Sequence, residues 1–236
     1  MRQRRKLWKA WPELTVVFQP IVDLDRRTAG SAGVVGLEAL ARFPGIPRLS
    51  PMRVFETARA GGGGVALELR AIAVALSSLG RLDDGRFLSL NASPEVLKSR
   101  DLRAMLAQVD ATRVVVEVTE TAPINDYASF NRSVDALRQL GVRLAVDDLG
   151  AGFASLRHLL HLRPEIMKLD LDVVDGISLD RTRQSLVLAL ASLGADIGAD
   201  VVAEGIESSD EVQAVRLFGV QYGQGFFLGR PAPPGK

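Results

Sequence analysis

Leu144-Ala145-Val146-Asp147-Asp148-Leu149-Gly150-Ala151-Gly152-Phe153 decides how the rest of the chain is read. An apolar, β-favouring run ends in two adjacent carboxylates and then in a glycine-rich turn, which describes a strand with two negative charges at its end. Neighbouring residues of a regular strand point to opposite faces, so Asp147 and Asp148 face one centre only where the strand becomes irregular. The glycines place that irregularity here. A solvated loop start followed by an ordinary turn accounts for this stretch alone equally well.

Upstream, residues 16–22 and 33–40 read as strands, and only Asp23 to Ala32 separate them. A parallel connection takes a dozen or more residues, so this short link predicts an antiparallel first pair. Helical patterns then alternate with strands: helices over 51–60, 65–79, 93–109, 127–140, 156–161, 182–193 and 210–218, and strands over 86–91, 113–118, 141–147, 165–170, 201–204 and 220–224. Strands separated by helices describe a mostly parallel sheet, and about eight of them predict closure into a barrel. Gly61 to Gly64 follows no strand and has no GxGxxG arrangement, so it reads as a flexible turn between two helices.

The 236 residues suit one large domain, and an apolar content of 47% allows a large core. With 29 basic and 28 acidic side chains, the formal charge of +1 gives no general reason for nucleic-acid binding. No segment reaches the ~20 apolar residues of a membrane span. The absence of cysteine excludes disulfides and thiolate metal sites and fits a cytoplasmic setting. Residues 1–14 form a basic arm with two tryptophans, read as a solvated terminus or a linker remnant in preference to a nucleic-acid or partner contact, and a domain follows over 15–236.

In such a barrel the carboxyl ends of the strands meet at one mouth. Glu38, Asn91, Glu117, Asp147, Lys168, Glu204 and Gln224 each fall at or near a different predicted strand end. Glu38, Asn91, Glu117, Asp147 and Asp148 are hard oxygen donors without imidazole or thiolate, a set that favours Mg²⁺ or Mn²⁺. Crowded carboxylates repel unless cations compensate them, and two ions fit the charge better than one. Such a pair suits phosphoryl displacement by activated water. Lys168 is placed to orient a nucleophile or neutralise a phosphate oxygen, and Arg42 to grip a phosphate. Taken singly, Glu117 or Lys168 is equally half of a buried ion pair, Asn91 a capping residue and Glu204-Gly205 a plain turn. His158 and His161, three apart on a short helix, read as surface or packing residues.

Ordered along the chain, these residues resemble the EAL-domain cyclic di-GMP phosphodiesterases. The likeness runs from about Val16 to Pro233 through Phe18-Gln19-Pro20-Ile21-Val22, Glu38-Ala39-Leu40-Ala41-Arg42-Phe43, Leu90-Asn91-Ala92-Ser93-Pro94, Glu117-Val118-Thr119-Glu120, Asp147-Asp148-Leu149-Gly150, Lys168-Leu169-Asp170, Ala203-Glu204-Gly205-Ile206-Glu207 and Gln224-Gly225-Phe226. The resemblance implies a modified TIM (β/α)8 barrel with an antiparallel first strand, and hydrolysis of cyclic di-GMP to linear pGpG with two Mg²⁺ or Mn²⁺ ions. It implies that Glu38, Asn91, Glu117 and Asp147 hold one metal, and that Asp148 serves the second with Asp147 shared. Lys168, Glu204 and Glu207 are implied as catalytic groups, with Glu207 and Gln224 also supporting the mouth. Gln19 and Arg42 match substrate-contact positions, as Gln224 is also taken to be, and Glu120 matches a loop anchor. A homodimer is implied, and a regulatory partner protein is a further expectation. Leu149, Ala151, Phe153 and Ala154 depart from the family pattern by removing hydroxyls from the loop, and the region of Gly61 to Gly64 is looser than usual. A cyclic di-GMP sensor or scaffold that binds without cleaving is the competing expectation.

Overall fold

A computed structural model describes residues 12–26, 33–82, 85–119, 123–150 and 155–233. The chain opens with β1 (Thr15–Asp23) and β2 (Val34–Arg42), which pair antiparallel with Gln19 opposite Glu38. Helices α1 (Pro51–Ala60) and α2 (Gly64–Leu76) precede β3 (Phe87–Asn91), and α3 (Pro94–Leu97) and α4 (Arg100–Leu106) precede β4 (Val114–Thr119). Then follow α5 (Tyr127–Arg138), β5 (Arg143–Leu149), α6 (Ser155–Leu162), β6 (Ile166–Leu169), α7 (Leu171–Val174), α8 (Arg181–Ile197), β7 (Asp200–Ala203), α9 (Ser209–Leu217) and β8 (Tyr222–Gly223). The strands close into a barrel in sequence order. β1 runs antiparallel to both of its neighbours, β2 and β8, while the remaining pairs are parallel. The short first connection predicted this reversal.

Three sequence expectations need correction. The helix expected over 93–109 is two helices, because Ser99 interrupts it and caps α4 by accepting from the Leu102 amide, as Ser93 caps α3 through Val96. The last strand shrinks to Tyr222–Gly223, leaving Gln224 just beyond it. α7 was not expected; Asp170 caps it by accepting from the Asp172 amide. The long helix α8 extends to Ile197 and stops where Gly198 enters the left-handed region that glycine tolerates.

The apolar side chains divide between the two faces of the barrel wall. Leu88, Leu90, Val114, Val116, Val118, Leu144, Val146, Met167, Leu169 and Val201 pack outward into one cluster with the helices. Ile21, Phe87, Val115, Ala145, Ile166 and Val202 form a separate plug inside the barrel. Gly36 makes room for that plug: a Cβ there would come within 2.4 Å of the Phe87 ring. At the first helix pair, Leu14 is buried in a third cluster with Phe43, Val54, Ala58 and Leu67. Among the described residues no helix is long and apolar enough to cross a membrane.

After β8 the chain passes so close to the β7 exit that a Cβ at Gly225 would lie 2.1 Å from the Ile206 carbonyl oxygen. Gly225→Ala is expected to cost about 3 kcal/mol or more in a urea melt, since backbone rather than a side chain must move. Gly80→Ala, with nothing within 4 Å of its added carbon, should stay within about 0.5 kcal/mol of the parent.

Candidate active site

The plug explains the position of the polar residues. Side chains of a strand return to the same face every second residue, so the interior position after each plug residue faces the barrel axis one step nearer the mouth. Phe87 leads to Ser89 and Asn91, Val115 to Glu117, Ala145 to Asp147, Ile166 to Lys168, and Val202 to Glu204. On β1, which runs the other way, the step is reversed: Gln19 precedes Ile21.

Lys168 is the centre of this ring and is 1% exposed. Its Nζ lies 2.7 Å from Glu204 Oε1, 3.0 Å from Glu117 Oε2, 3.1 Å from Asp147 Oδ1 and 3.7 Å from Glu38 Oε2. Glu38 is held from two other directions, accepting from Asn91 Nδ2 at 2.9 Å and from Gln224 Nε2 at 2.6 Å. Ser89 Oγ donates to Glu117 Oε1 at 2.5 Å. Ser89 did not emerge as a candidate from sequence, although its spacing two residues before Asn91 puts it on the same interior face.

Asp148 reaches the site through an irregularity. Val146 pairs with Met167 and Leu149 with Leu169, so β5 spends one residue more than β6 over the same step, and Asp148 sits at φ 60°. Aspartate is among the few side chains that occupy this left-handed region readily. The bulge brings one carboxylate oxygen each from Asp147, Asp148 and Glu204 within 4.8 Å of one another.

The charge balance is unfavourable without a cation. Burial pushes Glu117 up to about 8, and the charges of Glu38 and Asp147 push the same way against the pull of Lys168 and Ser89. Glu204 is raised well above the usual carboxylate range, again chiefly by burial. For Lys168 burial alone lowers the value, but Asp147, Glu117, Glu204 and Glu38 outweigh it and hold the ammonium charged. Asp147 Oδ1 accepts no well-directed hydrogen bond despite the nearby ammonium, and Gln224 Oε1 is likewise buried without a partner. Orphaned buried oxygens, hard donors and surplus negative charge together fit a magnesium-like divalent cation.

A cleft of about 690 Å³ opens from Glu38, Asn91 and Glu117 towards α1, where Arg42, Phe55 and Arg59 line it. Arg42 donates to the carbonyl of Ala41 at 2.9 Å, and Gln19, buried, donates to the carbonyl of Gly229 at 3.3 Å. Gln224 faces Glu38 across the mouth. Glu207 is exposed, and its amide donates to Glu211 Oε2. Glu120, Ala151, Phe153 and Ala154 lie outside the described residues. His158 is buried and its Nδ1 lies 2.9 Å from the Tyr127 hydroxyl, while His161 stacks on the Tyr127 ring, in keeping with packing roles.

A profile of the EAL domain matches residues 3–231. The chain belongs to the EAL domain family. Among relatives of this EAL domain, the probable cyclic di-GMP phosphodiesterase PdeI of Escherichia coli is 28% identical over 235 residues, covering 94% of this chain and 29% of its own length. PdeB of the same organism, also named a probable cyclic di-GMP phosphodiesterase, is 28% identical over 94% of this chain and 43% of its own. The structure of Klebsiella pneumoniae BlrP1 in a manganese and cyclic di-GMP complex superposes with a TM-score of 0.82 at 30% identity, over 95% of this chain and 57% of that one. A calcium and cyclic di-GMP complex of BlrP1 gives a TM-score of 0.81, also at 30% identity, over 96% and 59% of the two chains. The EAL domain thus spans less than two thirds of each of these longer proteins.

Without divalent cations, stability is expected to fall as pH rises from 4.5 towards 8. Over that window the folded protein holds a proton on Glu117 that the unfolded chain releases, so each step up in pH favours unfolding. Lys168 contributes no slope there, being charged in both states. Thermal melts of chelated protein should show this decline, Mn²⁺ should reverse it most strongly at the alkaline end, and Glu117→Gln should lessen it, Glu204, raised as well, supplying the remainder. A melting temperature that rises over the same interval contradicts the electrostatic account.

Proposed function

We propose that this EAL domain is a metal-dependent phosphodiesterase that hydrolyses one 3′–5′ phosphodiester of cyclic di-GMP to give linear pGpG. The observation that carries the reading is the convergence of Glu38, Glu117, Asp147 and Glu204 on Lys168, with Asp148 brought alongside, at the inner end of a cleft. The relatives named for this activity and the cyclic di-GMP complex of BlrP1 support it.

Glu38, Asn91, Glu117 and Asp147 would hold one Mg²⁺ or Mn²⁺, and Asp148 with the shared Asp147 a second. Such a pair lowers the pKa of bound water and neutralises charge on the phosphoryl group. The chain supplies the rest. Lys168 keeps a fixed positive charge beside Asp147 and Glu204, where negative charge grows on the attacked phosphate. Glu204, 2.7 Å from Lys168 and beside Asp147 and Asp148, is assigned the acid or base role. Arg42 and Gln19 orient the phosphodiester from the β1 and β2 side, and Gln224 steadies Glu38. In the overall change water adds its hydroxyl to phosphorus, the bond from phosphorus to the 3′ oxygen breaks, and that oxygen takes the proton. Glu207, at the rim, and Glu120, outside the described residues, are assigned supporting and loop-anchoring roles. Assembly as a homodimer and control by a partner protein belong to the same proposal.

Incubation with cyclic di-GMP and Mg²⁺, followed by nucleotide chromatography, should yield pGpG that chelator abolishes. Retention of the intact dinucleotide on the protein without cleavage would instead identify a sensor. Glu38→Ala and Asp147→Asn are each expected to remove turnover, since a lost ligand unsettles the two-metal geometry. For Lys168→Ala a fall in kcat of about 100-fold or more is expected, with Mn²⁺ binding retained; unchanged turnover at saturating substrate rejects the role given to the ammonium.

A further inference from the structure

Glu68 is a buried acid that the chemistry above leaves unused. It lies on α2, lines the same cleft and is 9% exposed. A carboxylate withdrawn from water needs partners, and both of its oxygens have them. Oε1 lies 3.4 Å from Arg59 Nη2, and Oε2 accepts from the Ser93 amide at 2.9 Å. The glycine run between α1 and α2 makes this reach possible: a Cβ at Gly64 would fall 3.0 Å from the Arg59 Cα, so the two helices meet at a distance that other residues resist.

Ser93 ends the turn that begins at Asn91. Ala92 between them donates its amide to the Glu117 carbonyl at 3.0 Å, and Asn91 donates to Glu38 Oε1 at 2.9 Å. One side of this turn is therefore tied to the carboxylate ring and the other to Glu68. We propose that Glu68 is a positioning residue for Asn91: from the outer helical layer it fixes the strand-to-helix turn and so the oxygen that Asn91 presents to a divalent cation. Arg59, mostly exposed at the cleft wall, holds the carboxylate in the orientation that meets the Ser93 amide. This inference rests on the metal-binding reading above.

Mn²⁺ titration of the full chain, followed by electron paramagnetic resonance of the free ion, tests it without any turnover. Glu68→Ala is expected to weaken Mn²⁺ binding about 10-fold, the scale of a lost outer contact to a metal ligand. Glu68→Gln, whose amide oxygen still accepts from Ser93, should restore most of that loss, which a purely charge-based role does not allow. If Glu68 acts through Asn91, Glu68→Ala combined with Asn91→Ala binds no more weakly than Asn91→Ala alone. Should the alanine variant not fold, Glu68→Asp, one methylene short of Ser93, is expected to lose affinity by a similar factor. Wild-type affinity in a folded Glu68→Ala or Glu68→Asp variant, or additive losses in the double variant, overturns the inference while leaving the metal site standing. Failure of the wild type to bind Mn²⁺ overturns both.

Discussion

The structure depends on one buried ammonium. Lys168 stands on the barrel axis among the carboxylates of Glu38, Glu117, Asp147 and Glu204, all within 3.7 Å of its nitrogen. Each acid is costly to bury alone, and each is tolerable because the same cation is shared. Sharing leaves the charges unbalanced, four carboxylates to one ammonium, and burial raises Glu117 and Glu204 despite the pull of that cation. The site is thus assembled by the protein but not neutralised by it, and its residual charge is what a divalent cation would satisfy.

The apolar plug and the polar ring are consequences of the same alternation. With the interior residue fixed as apolar at the bottom of each strand, the next interior residue towards the mouth is free to carry chemistry. This is why Glu117, Asp147, Lys168 and Glu204 were legible in the sequence: each is the polar interruption two residues beyond an apolar interior position. The reversed β1 was legible too, because ten residues do not suffice for a helical crossover, and the reversal is what turns Gln19 towards the same mouth. Family resemblance added the proposed substrate, which no spacing of residues specifies.

Other features depend on tertiary partners and left weaker traces. Ser89 reads as an ordinary strand serine until Glu117 is seen opposite its hydroxyl. Gln224 reads as a strand residue, whereas the short β8 releases it to meet Glu38. Glu68 is the single acid of the apolar helix α2, and its partners become evident only when α1, α2 and the turn after β3 are brought together. The break between α3 and α4 was missed because apolar periodicity continues across it, while Ser99 supplies a competing cap.

The bulge in β5 has a consequence for descent. Leu149 regains pairing with Leu169 immediately after it, so the surplus residue is confined to the reactive corner and the scaffold on either side keeps its phase. Architecture and reactivity are therefore separable at this point. A lineage that dropped a single codon here would inherit the barrel and forfeit the corner, with no rebuilding of the core.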